Sequence, residues 1–327
     1  MQPARCVFSS SSGSIAVNPP TSGTSRWRAV VRVLRSPVDA LACSLLPASC
    51  VLCGASLPRL SSAPICDACW TEFPSESGAV CVRCGDSLAA PESPQFSEYC
   101  RACRLVPPPF QRAVAYGVYQ GRLRDAIHAL KYDRVHPAAR GLGRMLALAI
   151  GRLAGEAPVE MLVVPVPLHR SKYSQRGFNQ ARMLAREALR SLRKSHPQWR
   201  LALAPGTLMR LRVTASQAGL TPRQRRVNVR GAFSVSDAAA VAGRHVLLID
   251  DIMTTGATAR AASQALLRAG AESVWVATLA RARRITAESR VSFENADNLK
   301  QVAGEPAVFS QAAGFYSTNS SAGQPSF

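Results

Sequence analysis

Apolar positions along the chain follow two periods. Ala113–Tyr119 (AVAYGVY), Met161–Val166, His245–Ile249 (HVLLI) and Ser273–Leu279 are short, nearly continuous apolar runs. Each is too short for a helix of its own, so each is expected as a strand. The intervening segments repeat their apolar residues at helical spacing. Arg122–Lys131 puts Leu123, Ile127 and Leu130 on one face. Phe178–Leu192 does the same with Phe178, Ala181, Ala185, Ala188 and Leu192. Pro137–Leu153 and Ala257–Ala269 read as two more helices. Continuous apolar strands alternating with helices predict an α/β fold with a parallel sheet covered on both faces. Met145–Ile150 is a short apolar stretch flanked by Arg144 and Arg152. No run reaches the roughly 18–20 apolar residues of a membrane span, so no membrane insertion is expected.

The remainder of the chain is patterned differently. Hydrophobic residues make up 47% and charged residues 18%, which supports a real core and excludes wholesale disorder. Residues 1–37 hold no acid, carry Arg5, Arg26, Arg28, Arg32 and Arg35, and include the serine run Ser9–Ser14. Transit peptides share that composition, but nothing else points to an organelle. The segment is expected as a disordered basic leader of a cytoplasmic protein. Residues 38–106 are rich in Cys, Pro and Ser and read as a small loop-rich module. Pro107-Pro108-Pro109 is a stiff break, and 110–282 is the alternating domain. Residues 283–327 are rich in Ser, Gly, Ala and Asn without a period, and are expected as a disordered tail.

Eight of the ten cysteines fall in four C-x-x-C pairs: Cys50/Cys53, Cys66/Cys69, Cys81/Cys84 and Cys100/Cys103. The unit CVxCG…CxAC occurs twice. A C-x-x-C turn presents two sulfurs from one knuckle, and two knuckles close a tetrahedral four-thiolate zinc site. Two structural Zn²⁺ ions are expected, with pairs joined in sequence order or interleaved. A disulfide framework would suit a small secreted protein, and this chain shows no secretory signal. One C-x-x-C is compatible with redox chemistry; four in tandem are not easily explained by it. Cys6 and Cys43 have no partner motif.

The strongest chemical signal is Val246-Leu-Leu-Ile-Asp250-Asp251-Ile-Met-Thr254-Thr255-Gly256-Ala257-Thr258. An apolar strand ends in two carboxylates, turns on Thr and Gly, and enters a helix. Parallel sheets bind ligands at the carboxyl ends of their strands. Gly256 lets backbone approach an anion. The threonine hydroxyls and the free N–H groups of the helix start supply donors. The carboxylates suit sugar hydroxyls or Mg²⁺. A phosphate site beside a diol site describes a ribose phosphate.

This run resembles the signature of type I phosphoribosyltransferases that binds 5-phosphoribosyl 1-pyrophosphate (PRPP). Other segments resemble the ComF family of competence proteins and the related GntX proteins. They are Val164-Pro-Val-Pro-Leu168 with Arg170, Lys172 and Arg176-Gly-Phe-Asn-Gln180; Arg212-x-Thr214-x-x-Gln217-x-x-Leu220; Arg225/Arg226, Asn228 and Ala232-Phe233; Ile127-His-Ala-Leu-Lys131-Tyr132; and the paired zinc knuckles. The resemblance spans roughly Val38 to Ala282. It implies a type I phosphoribosyltransferase fold preceded by a double zinc ribbon. Asp250 and Asp251 would hold the ribose 2′- and 3′-hydroxyls, and Thr254, Thr255, Gly256, Ala257 and Thr258 the 5′-phosphate. Arg170 and Lys172 would be the cations of the pyrophosphate loop, Thr214–Asn228 would form a closing loop, and Mg²⁺ would accompany PRPP.

Charge adds a second theme. Lys+Arg number 40 against 20 Asp+Glu, for a formal charge of +20, and Lys131, Lys172, Lys194 and Lys300 are the four lysines. Between Arg170 and Phe233 fifteen cations face one acid, Glu187. One pyrophosphate does not require that much charge, whereas a single-stranded DNA backbone would use it. Arg176, Arg212, Arg225 and Arg226 are candidates for nucleic-acid contact. Three functions fit: a competence protein that handles cytosolic single-stranded DNA alongside DNA-uptake proteins, an active phosphoribosyltransferase of nucleotide salvage, or a non-catalytic PRPP sensor. No Walker, G-x-S-x-G or H-E-x-x-H motif is present.

Overall fold

The computed structural model describes residues 48–57, 63–73, 78–88, 98–133, 135–212, 224, 229 and 231–283. The leader, the tail, Arg225 and Arg226 and nearly all of the expected closing loop lie outside them. Fourteen elements follow in chain order. They are α1 (Asp67–Thr71), α2 (Arg101–Leu105), β1 (Ala113–Val118), α3 (Gly121–Lys131), α4 (Ala138–Gly151), β2 (Glu160–Pro165) and α5 (Arg170–Arg176). Then come α6 (Gln180–Ser195), β3 (Arg200–Leu203), β4 (Leu208–Arg210), β5 (Phe233–Val235), β6 (His245–Met253), α7 (Ala257–Arg268) and β7 (Ser273–Arg281).

The main sheet has the order β1-β7-β6-β2-β3, and every pairing within it is parallel. From β2 the chain moves outward to β3; from β6 it moves the other way to β7. The carboxyl ends of β2 and β6 therefore flank the switch point where open α/β sheets bind ligands. β4 and β5 form a separate antiparallel pair.

Period-two alternation sorts the central strands onto two cores. Leu247, Ile249 and Ala277 pack on the side that holds α3, α4 and α6. Val246, Leu248, Val274 and Val276 pack on the other side with Ala259, Ala262 and Leu266 of α7. Buried on both faces, these strands show continuous apolar runs. The helix expected from Phe178 starts at Gln180, because Asn179 caps it: its side-chain oxygen accepts from the Arg182 N–H at 3.1 Å. Phe178 packs instead against His136, ring centres 4.3 Å apart.

The two cysteine modules grip opposite sides of this sheet. Cys50, Leu57, Ile65, Cys69 and Phe73 belong to the core on the α3–α4 side. Cys81, Cys84 and Cys103 belong to the core on the α7 side. The first module is seated on α4 by Trp70. A methyl group at Gly141 would come within 2.2 Å of its indole ring, so glycine there makes room for the ring. Arg122 at the start of α3 reaches the same module, donating to the Leu52 carbonyl and pairing with Glu72 at 3.2 Å. Arg260 of α7 donates to the carbonyls of Val106 and Pro107 at 2.8 and 3.1 Å.

The second module is tied to the functional end of β6 by one side chain. Arg281, the last residue of β7, is 2% exposed. Its guanidinium donates to the Met253 carbonyl at 3.0 Å and to the Thr254 carbonyl, and faces Asp86 at 3.6 Å. Asp86 follows the knuckle Cys81–Gly85 and is itself 4% exposed.

Two substitutions test this assembly. Arg281→Met should cost about 3–5 kcal/mol in urea unfolding, because it removes the cation facing a buried carboxylate. Adding Asp86→Asn should return a measurable part of that loss. A cost under about 1 kcal/mol would show that the bridge carries little of the fold. Gly141→Val should displace Trp70 and cost about 1–3 kcal/mol by overpacking, read as a lower midpoint in the same assay.

Candidate functional site

β6 runs four residues past the expected strand end and carries both aspartates. The alternation that sorts its apolar residues also separates the two acids. Asp250 faces a narrow crevice on the α7 side, lined further by Thr254, Gly256, Ala257, Thr258 and Thr278. Asp251 is buried, and its Oδ2 meets the Lys131 ammonium of α3 at 2.5 Å. Gly256 takes φ +74° as the N-cap of α7, a turn that glycine tolerates without strain. The Thr255 hydroxyl accepts from the Ala257 N–H at 3.4 Å. The five loop residues read from sequence thus gather at one helix start, and four of them line the crevice.

The charges are arranged unequally. Limited solvent access, together with the adjacent Asp251 charge, pushes the Asp250 carboxyl well above the ordinary carboxylate range. Burial acts on Asp251 in the same direction, but the Lys131 ammonium outweighs it and holds Asp251 low. Burial likewise disfavours the Lys131 charge, and Asp251 more than restores it. The site therefore holds one firmly ionised acid already paired with a cation, and one acid that takes up a proton readily.

More cations stand nearby. Lys172 has its pKa lowered by burial and by the positive charges of Arg210, Arg176 and Lys131. Arg210 on β4 is lowered by burial and supported by the charge of Asp250. Four cations thus surround two acids, and a phosphorylated ligand would neutralise the surplus. Of the expected pyrophosphate pair, Lys172 joins this cluster. Arg170 is exposed on the first turn of α5, which follows the short loop after β2. Arg176 stacks over the Tyr132 ring at 5.2 Å and donates to Gln180 at 2.8 Å. Arg212 is exposed at the edge of the described residues.

Sequence reasoning missed the roles of Lys131, Arg210 and Arg281. It also missed the bond between the Tyr119 hydroxyl and His128 Nε2, 2.7 Å long and one helical turn from Lys131. One signal was available for the lysines. In a chain with 36 arginines and four lysines, two of the lysines stand at the site.

The cysteines form two quartets, Cys50/Cys53/Cys66/Cys69 and Cys81/Cys84/Cys100/Cys103, each with all sulfurs within 4.8 Å of one another. Pairing follows sequence order. Four thiolates at 2.3 Å from one Zn²⁺ stand about 3.8 Å apart along each tetrahedral edge. The measured separations are 3.8 Å for Cys50–Cys69, 3.7 Å for Cys53–Cys66 and 3.7 Å for Cys84–Cys100. Within each quartet the thiol pKa values are driven apart: burial and neighbouring thiols push Cys69, Cys84 and Cys103 up, while one thiol of each quartet is lowered. Burial disfavours the Cys50 thiolate, yet backbone donors led by the Cys66 N–H bring it down to about 6. The Cys84 thiol, with backbone donors, brings Cys81 to about 4 despite burial. The residues fit structural zinc at both sites, closed and without an open ligand position. Among the described residues, no helix is long and apolar enough to cross a membrane.

Comparison with known proteins agrees with this architecture. The double zinc ribbon domain matches residues 41–104, and the phosphoribosyl transferase domain matches residues 180–310. The DNA utilization protein YhgH of Escherichia coli K12 is 33% identical over 238 residues, 72% of this chain and 98% of its own length. Competence protein F of Haemophilus influenzae is 28% identical over 71% of this chain and 96% of its own. Among solved structures, a glutamine PRPP amidotransferase from B. subtilis is 23% identical with a TM-score of 0.28, covering 46% of this chain and 30% of that one. Identity at one position in three along nearly the whole of a relative, with the same ribbon-then-sheet order, makes the chain a member of the ComF/GntX family.

Proposed function

We propose that this protein binds PRPP, or a closely similar ribose phosphate, at the β6–α7 loop, and acts in the cytoplasm in DNA uptake by handling single-stranded DNA. The observation that carries the first half is the division of labour between the two aspartates. Asp250 lines the same crevice as Thr254, Gly256 and Thr258, so one acceptor for a sugar hydroxyl stands beside a phosphate cradle. Lys131 occupies Asp251, so this carboxylate is not available as a dedicated metal ligand. Mg²⁺ would instead enter with the diphosphate of the ligand, which Lys172 and Arg210 would face. The names of the relatives, a DNA utilization protein and a competence protein, support the second half, together with the cationic span from Arg170 to Phe233.

A ribosyl transfer would break the C1–O bond to pyrophosphate and form a bond from C1 to an acceptor. The residues in place serve the binding side of that reaction: donors for phosphate, acceptors for hydroxyls, and cations for the departing charge. They serve a sensor equally well.

Calorimetric titration with Mg²⁺-PRPP should give saturable binding to the zinc-loaded protein, and Asp250→Asn/Asp251→Asn should abolish it. No heat at millimolar ligand would remove both the enzyme and the sensor readings. The Lys131–Asp251 pair makes a separate prediction in pH. Asp251 is held below its unfolded value of about 3.9, so the pair stabilises the fold above that pH and is lost as pH falls through the folded pKa. Lys131→Met should therefore cost about 3 kcal/mol at pH 7. The gap to wild type should narrow below pH 4 in denaturant unfolding. A gap that stays constant with pH would show that the ion pair is not its source.

A further inference from the structure

A second concavity stands apart from the β6–α7 crevice. It is an open groove of about 950 Å³ along the outer side of α4 and α6. Gly143 lets the two helices approach there: a methyl group at this position would lie 2.3 Å from Glu187 Cβ. The groove walls carry two arginine rows. Arg140 and Arg144 stand one turn apart on α4. Arg182, Arg186, Arg190 and Arg193 follow at i, i+4, i+8 and i+11 on α6. Eleven residues of helix rise about 17 Å. The sole acid in the lining, Glu187, is taken by Arg190 at 2.6 Å. Among the described residues, Arg140, Arg144, Arg182, Arg186 and Arg193 make no ion pair. Like charges at i, i+4 weaken a helix. The buried face of α6 carries the stability instead.

One end of the groove changes character. Tyr173 is 49% exposed there, next to the His136–Phe178 pair. Tyr173 belongs to α5, the helix whose Lys172 joins the cation cluster at the phosphoribosyl site. The aromatic end of the groove is thus one residue away from a member of that cluster.

We infer that the α4–α6 groove is the track for single-stranded nucleic acid: the arginine rows hold successive phosphates, and Tyr173 offers a face to a base. This rests on the DNA-handling half of the proposed function and assigns it a surface. A concave channel with spaced guanidiniums and an aromatic end suits a flexible strand. A bilayer is flat and meets a convex or planar basic face more readily. The residues are distinct from Arg176, Arg212, Arg225 and Arg226, so the two sets can be separated.

The test is fluorescence anisotropy of a labelled thirty-residue oligothymidylate against the full-length zinc-loaded protein, across a salt series. Arg182→Gln/Arg186→Gln/Arg193→Gln should weaken binding at least about tenfold at low salt. It should also reduce the slope of log K against log salt by about 2, three contacts at roughly 0.7 each. The matching triple Arg→Lys variant should keep the slope, which separates charge loss from misfolding, as should an unchanged thermal midpoint. Unaltered affinity and slope in the Gln variant, with wild type binding normally, overturn the groove and leave DNA handling to other residues. Absence of binding by wild type overturns both the groove and the DNA-handling reading. Loss of binding to phosphatidylglycerol vesicles with oligothymidylate binding intact overturns the groove as a nucleic-acid track and makes it a membrane contact.

Discussion

One buried guanidinium ties the second cysteine module to the loop between β6 and α7. Arg281 sits at the end of the sheet's second strand from the edge, with a carboxylate of the second zinc module on one side and two carbonyls of the β6–α7 loop on the other. A cation in so dry a place needs an anion facing it and acceptors for its terminal N–H groups. Both conditions require the ribbon and the loop to be in place together. The loop's conformation is therefore set by the ribbon's position, across the C-terminal end of β7. The zinc ions lie outside the ligand crevice, yet they hold the scaffold on which that crevice is built.

The sheet was legible because its strands are covered on both faces. His245–Ile249 and Ser273–Leu279 are continuous apolar runs, and such runs leave few alternatives. The Cys quartets were legible for a different reason. Zinc coordination constrains spacing so tightly that ligand positions survive as a pattern even where little hydrophobic periodicity exists. The turn between β6 and α7 was legible because its backbone conformation demands particular residue types, glycine at Gly256 above all.

What sequence did not reveal has no such local constraint. β3, β4 and β5 are three or four residues long, with mixed burial, and α5 has no buried residue at all. Lys131 and Arg210 reach the site through tertiary folding from a helix end and a separate hairpin. Neither carries a motif of its own. Arg281 looks from sequence like an ordinary cation after an apolar strand, and it proves to be among the most buried side chains of the molecule. The α4–α6 groove depends on a close helix approach at Gly143, which no periodicity predicts. Charge counting found the cationic span, but only the packed helices show which of its arginines share one face.

The placement of the ribbons has a further consequence at the sheet margin. β1 is an edge strand, and an open edge is a template on which other chains can add strands. Here that edge is occupied. The outward N–H of Ala113 donates to the Arg83 carbonyl of the second zinc knuckle at 2.8 Å. The outward carbonyl of Ala115 accepts from Arg152 at 2.9 Å. The Tyr116 hydroxyl donates to the Phe73 carbonyl of the first module at 3.4 Å. The metal modules thus act as a selvedge, finishing a margin that would otherwise fray into intermolecular pairing. Stripped of zinc, the strand would keep its Arg152 contact alone, and the freed N–H of Ala113 would stand open to pairing with a neighbouring chain.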